Sequence, residues 1–287
     1  MNQSETNRAR LMIAVSMAIF GTIGLFVRGI PLASGEIALC RAMLAVLAIG
    51  GHLVITRQKI TLEGMKKEVL LLVVSGIAMG FNWILLFEAY KYTTVSMATL
   101  SYYAAPVIIT LVSTILFREK LTGKRLLCFV MSTLGILLIT AGGGEEVSSG
   151  NSRVGIAFGL GAAVLYATVV LLNKFIKKVD GIRRTFLQFV AAVVTLFPYV
   201  MLTGGLHVGE LDIRGLVLLF VVGLLHTGVA YCLYFSSLPH VTGQEAAVLS
   251  YIDPLTAVIL SVTILHEPMS IRQIIGGALI LGFTLLN

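Results

Sequence analysis

Charge is scarce in this chain. Of its 287 residues, 12% are Asp, Glu, Lys or Arg and 57% are hydrophobic, with a mean hydropathy of +0.96, whereas water-soluble domains carry about 25% charged residues. A soluble surface needs charge and a lipid-facing one does not. Composition therefore excludes a soluble globular enzyme and indicates a membrane protein. Cysteine is scarcer still: Cys40, Cys128 and Cys232 sit in separate apolar runs, an odd set with neither a disulfide frame nor metal-ligand spacing. A Walker motif, an HExxH zinc motif, a CxxC pair and a Gly-rich nucleotide fingerprint are all missing from the sequence. Their absence leaves no support for ATP-driven transport or metal hydrolysis, and no cofactor is expected. The net charge of +7 comes from 21 Lys and Arg in short clusters between apolar runs, a layout that speaks for membrane orientation and against nucleic acid.

What the chain does have is long apolar runs. A bilayer core takes about 20 helical residues to cross, and ten such stretches are expected, at 11–30, 37–56, 69–90, 95–117, 123–141, 154–173, 184–203, 213–236, 243–265 and 271–286. The first run, from Leu11 to Val27, exceeds a signal-peptide core and lacks a small-residue cleavage site, so it is expected to be retained. The longest hydrophilic break, GGGEEVSSGNSR at 142–153, falls at the midpoint and reads as a linker between a first half, 11–141, and a second half, 154–287. Basic residues are asymmetric. Arg8, Arg10, Arg57, Lys59, Lys66, Lys67, Arg118, Lys120, Lys124, Arg125, Lys174, Lys177, Lys178, Arg183 and Arg184 fall on one side. Only Arg28, Lys91, Arg153, Arg214 and Arg272 fall on the other, with Arg41 inside span 2. The positive-inside rule then puts both termini in the cytoplasm of a multi-pass cell-membrane protein.

Sliding the chain by 148 residues aligns spans 3 and 4 with spans 8 and 9. Gly80 meets Gly228, Leu85 meets Leu233, Phe87 meets Phe235, Thr94 meets Thr242 and Ala98 meets Ala246; Tyr103 meets Tyr251, Pro106 meets Pro254, Ser113 meets Ser261 and Glu119 meets Glu267. Pro, Tyr and Glu do not recur by chance as Leu and Ala do, so the repeat is real. Each copy holds five spans, an odd number, so the second enters the membrane from the opposite side. The expected fold is thus an all-α membrane protein of ten transmembrane helices in two inverted five-helix repeats. Such repeats support alternating access to a site near the bilayer midplane.

At this point the residues resemble a known family. Pro106 followed by Glu119, Leu121 and Thr122, and Pro254 followed by Glu267, Met269 and Ser270, look like EamA repeats of the drug/metabolite transporter superfamily. Phe20-Gly21 stands where the first helix of such proteins often has Trp-Gly, Arg41 is in the usual place in helix 2, and GFNWILLFEAYKYTT and HTGVAYCLYFSSL look like a bacterial subgroup. The resemblance covers nearly the whole chain. It implies a ten-helix secondary transporter, commonly an exporter of amino acids or other small metabolites.

Counting about 1.5 Å per residue from the span ends puts Asp253 about 15 Å deep, immediately before Pro254. An intramembrane carboxylate is by default a functional hypothesis, and Pro254 disrupts the bond to the Ser250 carbonyl, so a kink is expected beside the acid. Together they suit a proton, an amine or a cation; the alternative is an acid that serves a fixed bend. In span 4 Pro106 repeats the hinge, but Ala105 stands where span 9 has Asp253. His226 is similarly deep and is either a proton carrier or a satisfied core histidine. Asn82, Trp83, Tyr102, Tyr103, Tyr166 and Tyr251 surround the midplane and suit an ammonium-bearing or flat organic substrate, or interhelical packing. For Arg41, snorkelling to the outer interface competes with holding a substrate carboxylate. Glu88 reads as an interfacial partner of Lys91 at i+3, Glu245 and Gln273 as capping-box partners of Thr242 and Ser270, and Glu119 and Glu267 as structural turn residues. Gly76 with Gly80 and Gly155 with Gly159 let helices approach closely, while Gly21, Gly24, Gly223 and Gly228 allow sliding or static contact.

The reading is a secondary transporter of a small organic metabolite, an amino acid, amine or aromatic compound, working by alternating access and exporting its cargo. Its partners would be that substrate, the lipid bilayer and protons; one chain encloses the site without an oligomer. Two other readings stand beside it: an uncoupled facilitator or channel, and an intramembrane enzyme using Asp253, His226 and Glu88 as acid and base, which requires the three to cluster.

Overall fold

The computed structural model describes residues 3–57, 66–116, 123–142, 151–177, 179, 181–241 and 243–286, and these are helical with no strand among them. Lys59, Arg118, Glu119, Lys120, Leu121, Thr122, Lys178, Thr242 and most of the expected linker lie outside the described residues. The elements are α1 (Gln3–Gly21, resumed as Ile23–Arg28), α2 (Ser34–Ile55), α3 (Lys66–Tyr92), α4 (Val95–Tyr102, then Ala105–Leu116) and α5 (Gly123–Gly142). The second half repeats them as α6 (Ser152–Asn173), α7 (Gly181–Thr203), α8 (Ile213–Phe220, Val221–Val229, Ala230–Ser237), α9 (Gly243–Leu249, then Ile252–Thr263) and α10 (Ile271–Leu286). Among the described residues seven helices are long and apolar enough to cross a bilayer, and α5, α9 and α10 contribute the shorter apolar stretches Leu126–Ile139, Ile252–Thr263 and Ile271–Phe283. The expected ten-span, all-α architecture stands.

Local chemistry sets the helix starts. Thr94 accepts from the Met97 amide at 3.1 Å to open α4, and Asp212 accepts from the Gly215 amide at 2.8 Å to open α8. Before α10 the expected reciprocal cap is present, with the Ser270 amide donating to Gln273 at 2.8 Å and the Gln273 amide to Ser270 at 3.3 Å. Each cap satisfies amides that lipid would leave bare.

The helix pairs obey the exchange of one half for the other. Helix α1 packs on α8 and α9 as α6 packs on α3 and α4, and α2 packs on α8 as α7 packs on α3. The pairs α2 with α7, α4 with α9, and α5 with α10 map onto themselves. Two inverted copies generate this contact set, and because the tightest pairs join one copy to the other, the copies interleave around a shared interior.

Small residues permit that closeness. Gly76 and Gly80 face Ala191 and Leu196 of α7, Gly155 and Gly159 face Thr93 and Ser101, Gly24 faces Val95, and Gly223 and Gly228 face Leu44 and Ala48 of α2. Gly135 of α5 and Gly276 of α10 lie back to back, so that a Cβ on either would sit 2.6 Å from the other's carbonyl oxygen. Gly135→Val is therefore expected to force α5 and α10 apart and to cost about 1–3 kcal/mol, the range for overpacking a tight contact. Thermal unfolding in detergent checks this, and an unchanged midpoint would show that the contact is not constrained.

Four spans are irregular where sequence patterning drew continuous helices. Spans 4 and 9 break at 103–104 and 250–251, a few residues ahead of Pro106 and Pro254. Each proline lacks an amide hydrogen and its ring crowds the carbonyl four residues earlier, so a new half-helix starts instead. A kink was expected beside Asp253; the structure makes it a full interruption and repeats it in α4. Unforeseen are a break in α1 at Thr22 and a π-helical stretch in α8 over Val221–Val229.

Candidate functional site

The interruptions of α4 and α9 meet. Tyr103, in the break of α4, donates its hydroxyl to Asp253 Oδ2 at 2.9 Å and lies 3.3 Å from the Ser250 carbonyl oxygen, the acceptor that Pro254 strips of its helical donor. Asp253 stands in the first turn of the second half of α9, where the helix dipole favours negative charge. It is half-buried, and no cation among the described residues pairs with it. Rings extend the cluster: Tyr251 lies 6.4 Å from Tyr103, Tyr102 lies 6.2 Å from Tyr103, and Tyr166 lies 5.5 Å from Tyr102.

Arg41 resolves the choice left open for it by going inward. Its side chain is only 4% exposed, the guanidinium carbon lies 4.4 Å from the Trp83 ring centre and 5.7 Å from Phe87, and Nε donates to Thr227 Oγ1 at 2.6 Å. Trp83 and Phe87 stand at i and i+4 on α3 and so present both rings on one face. No carboxylate among the described residues pairs with this guanidinium. Snorkelling is thus not what the structure shows: a planar, weakly hydrated cation stacks on aromatic faces within the helical bundle. Both charged groups thus lie against aromatic side chains, Arg41 against Trp83 and Phe87 and Asp253 against Tyr103.

Asn82 donates to the Ala162 carbonyl at 2.6 Å, tying α3 to α6 beside the cluster. Trp83 meets Phe189 edge-on at 5.1 Å, and Phe189 meets Tyr231 at 5.3 Å. His226 is fully buried with both ring nitrogens engaged. Its Nδ1 is 3.2 Å from the Val221 carbonyl oxygen and its Nε2 is 2.7 Å from Thr22 Oγ1. A carbonyl only accepts, so in the neutral ring Nδ1 carries the hydrogen, and Nε2 faces the Thr22 hydroxyl, whose single hydrogen is shared with the Ile19 carbonyl at 2.7 Å. The π-helical stretch of α8 is thereby bound to the break in α1. Next to Thr22, Gly21 lies against the Asp253 backbone and Thr256. Tyr231, Tyr90, Phe189, Thr227 and Thr22 were not singled out from sequence. Only Tyr231 left a trace there, since it stands 148 residues after Trp83 in the repeat.

Elsewhere, several acids among the described residues have cationic partners. Lys91 donates to Glu88 at 3.1 Å at the end of α3, as expected from their spacing. Glu245 pairs with Arg10 of α1, while Thr242 of its expected capping box is outside the described residues. Glu267 is buried and pairs with Arg28, a wider role than the turn assigned to it. A cleft lined by Arg10, Glu245, Val248 and Leu249 shares no residue with the Asp253 cluster. No group of His, Cys, Asp or Glu among the described residues has the geometry of a metal site.

A polytopic helical membrane protein with an inverted repeat and charged groups in its interior is the architecture of a transporter. The chain belongs to the EamA-like transporter family, whose model matches it twice, at residues 7–141 and 153–287. It is 28% identical over 285 residues to the uncharacterized transporter YxxF of Bacillus subtilis, covering 96% of this chain and 90% of that one. An uncharacterized transporter of Archaeoglobus fulgidus is 29% identical over 279 residues, with 96% and 94% of the two chains covered. A solved crystal structure superposes with a TM-score of 0.65 at 17% identity over 97% of this chain and 96% of its own, a likeness of fold.

Proposed function

We propose that this transporter is a secondary exporter of a small zwitterionic metabolite with a flat or aromatic body, such as an amino acid, and that it works by alternating access. The observation that carries the reading is the pair of interior charges, Arg41 stacked on Trp83 and Phe87 and Asp253 bonded to Tyr103. Arg41 would take the substrate carboxylate, and Asp253 an ammonium group or the coupling proton. Trp83, Tyr102, Tyr103, Tyr166 and Tyr251 would supply ring faces, with Asn82 holding α3 to α6 beside them. Pro106 and Pro254 would act as paired hinges, since each half-helix turns about a point already lacking a backbone bond. His226 would join α8 to α1 through Thr22, so that movement at the coupling site reaches both. The protein would sit in the cell membrane with both termini cytoplasmic, following the distribution of basic residues. The direction of transport rests on the family resemblance.

Purified protein in liposomes, offered amino acids, amines and aromatic metabolites with and without an imposed pH gradient, tests the proposal. Saturable, gradient-dependent flux of zwitterions is the expected outcome. Saturable flux indifferent to every gradient would favour the facilitator reading, and no flux from any class would remove the transport assignment. The enzyme reading has less support, because Glu88 is engaged by Lys91 and His226 by Thr22.

A further inference from the structure

The end of the molecule opposite the N-terminus is closed by one buried carboxylate. Glu267, 7% exposed in the loop between α9 and α10, pairs through Oε1 with Arg28 at the end of α1. Its Oε2 accepts from the Val95 amide at 2.9 Å and from the Ser261 hydroxyl of α9. Ser261 in turn accepts from the Ser96 amide at 3.3 Å. Arg28 also donates through Nε to the Tyr90 carbonyl at 2.9 Å and through a terminal nitrogen to the Thr93 carbonyl. The carboxylate therefore covers the bare Val95 amide at the start of α4 while the guanidinium covers bare carbonyls at the end of α3. Residue 266, just before it, is a histidine with φ of 54°, a left-handed backbone that side chains disfavour, so the loop is held in shape rather than relaxed. Arg28 and the turn between α3 and α4 belong to the first repeat, and Glu267 and Ser261 to the second. Every bond between those two sets crosses from one copy to the other.

The repeat carries the same device to the opposite end. Lys174 stands 146 residues after Arg28, the offset that separates the two family matches, and Ser113 stands 148 residues before Ser261. Lys174 Nζ donates to Ser113 Oγ at 3.1 Å, again joining the tail of a first helix to the fourth helix of the other copy. We propose that these are two repeat-related latches, Arg28–Glu267–Ser261 at the outer end and Lys174–Ser113 at the inner end, and that release of one opens the interior site to that side. This rests on the alternating-access reading, but its test reads geometry and not flux.

The measurement is electron–electron spin resonance on protein in nanodiscs, with Cys40, Cys128 and Cys232 replaced by alanine. Nitroxides go at Lys91 and Ile271 across the outer latch and, in a second sample, at Leu116 and Phe175 across the inner one. Glu267→Gln keeps an acceptor for Val95 but loses the ion pair; the long-distance population of the outer pair is expected to rise at least about fivefold, a coupling of roughly 1 kcal/mol, with no lengthening of the inner pair. Ser113→Ala is expected to lengthen the inner pair and not the outer. Arg28→Lys, which keeps the charge but not the bridge, serves as the second outer variant and should give a smaller shift of the same sign. Opposite shifts from the two ends support the latches even if no cargo is ever found. An unchanged outer distribution in both outer variants, or loosening of both ends by either change, overturns them.

Discussion

Asp253→Asn is expected to abolish gradient-driven uptake while leaving the protein folded, with substrate flux under an imposed pH gradient falling at least about tenfold, where each factor of ten is roughly 1.4 kcal/mol. The expectation follows from what the substitution keeps. Asparagine has the same shape and its Oδ1 still accepts from the Tyr103 hydroxyl, which lies 2.9 Å from the carboxylate. What it loses is the negative charge at the head of the second half of α9, the one acid in the tyrosine cluster. Tyr103→Phe is the complementary change, removing the bond and retaining the charge, and it should weaken uptake less. Thermal midpoints of the two variants close to that of the parent would show that the effect is not one of folding. Full gradient-driven uptake by Asp253→Asn would reject the coupling role and return the acid to the role of serving the bend.

Replacing Arg41 should change which molecules are carried more than how fast carriage occurs. Its guanidinium is buried over Trp83 and Phe87, bonded to Thr227, and without a carboxylate partner among the described residues. A charge in that setting is costly unless an anion reaches it. For Arg41→Gln, bonds to a charged group worth roughly 1.5–3 kcal/mol would be lost, lowering kcat/KM for a carboxylate-bearing substrate by about 10- to 100-fold. The matching amine without the carboxylate should be carried equally by parent and variant. Arg41→Lys keeps the charge but lacks the planar group that stacks on the indole, and should fall between the two. Equal losses for zwitterion and amine would mean that Arg41 holds the helices together and does not select the substrate.

Much of the fold was legible because its causes are local. Lipid demands long apolar runs, which hydropathy reads directly, and the cap formed by Ser270 with Gln273 needs only residues three apart. The repeat was legible because Pro, Tyr and Glu recur at one offset. An odd number of spans per copy then required inversion, and the exchange of helix contacts between halves agrees with it. For the candidate site, Asp253 and the two prolines, Pro106 and Pro254, could be singled out from depth and chemistry. The break at Thr22 and the π-helical stretch of α8 contain no proline and left no signal.

By itself, then, the sequence determined that this is a multi-pass helical protein with an inverted repeat, since those properties depend on runs, spacing and parity along the chain. Only the tertiary structure decided where the polar side chains go. Arg41 near the outer end of α2 was compatible with reaching water; the rings of α3 and the hydroxyl of Thr227, 186 residues away, draw it inward. Tyr103 meets Asp253 across 150 residues, and Arg28 meets Glu267 across 239. In a bilayer a polar group takes whatever partner the packing brings within reach, because no water competes for it. Which partner that is depends on how the two copies interleave, and no local pattern encodes it.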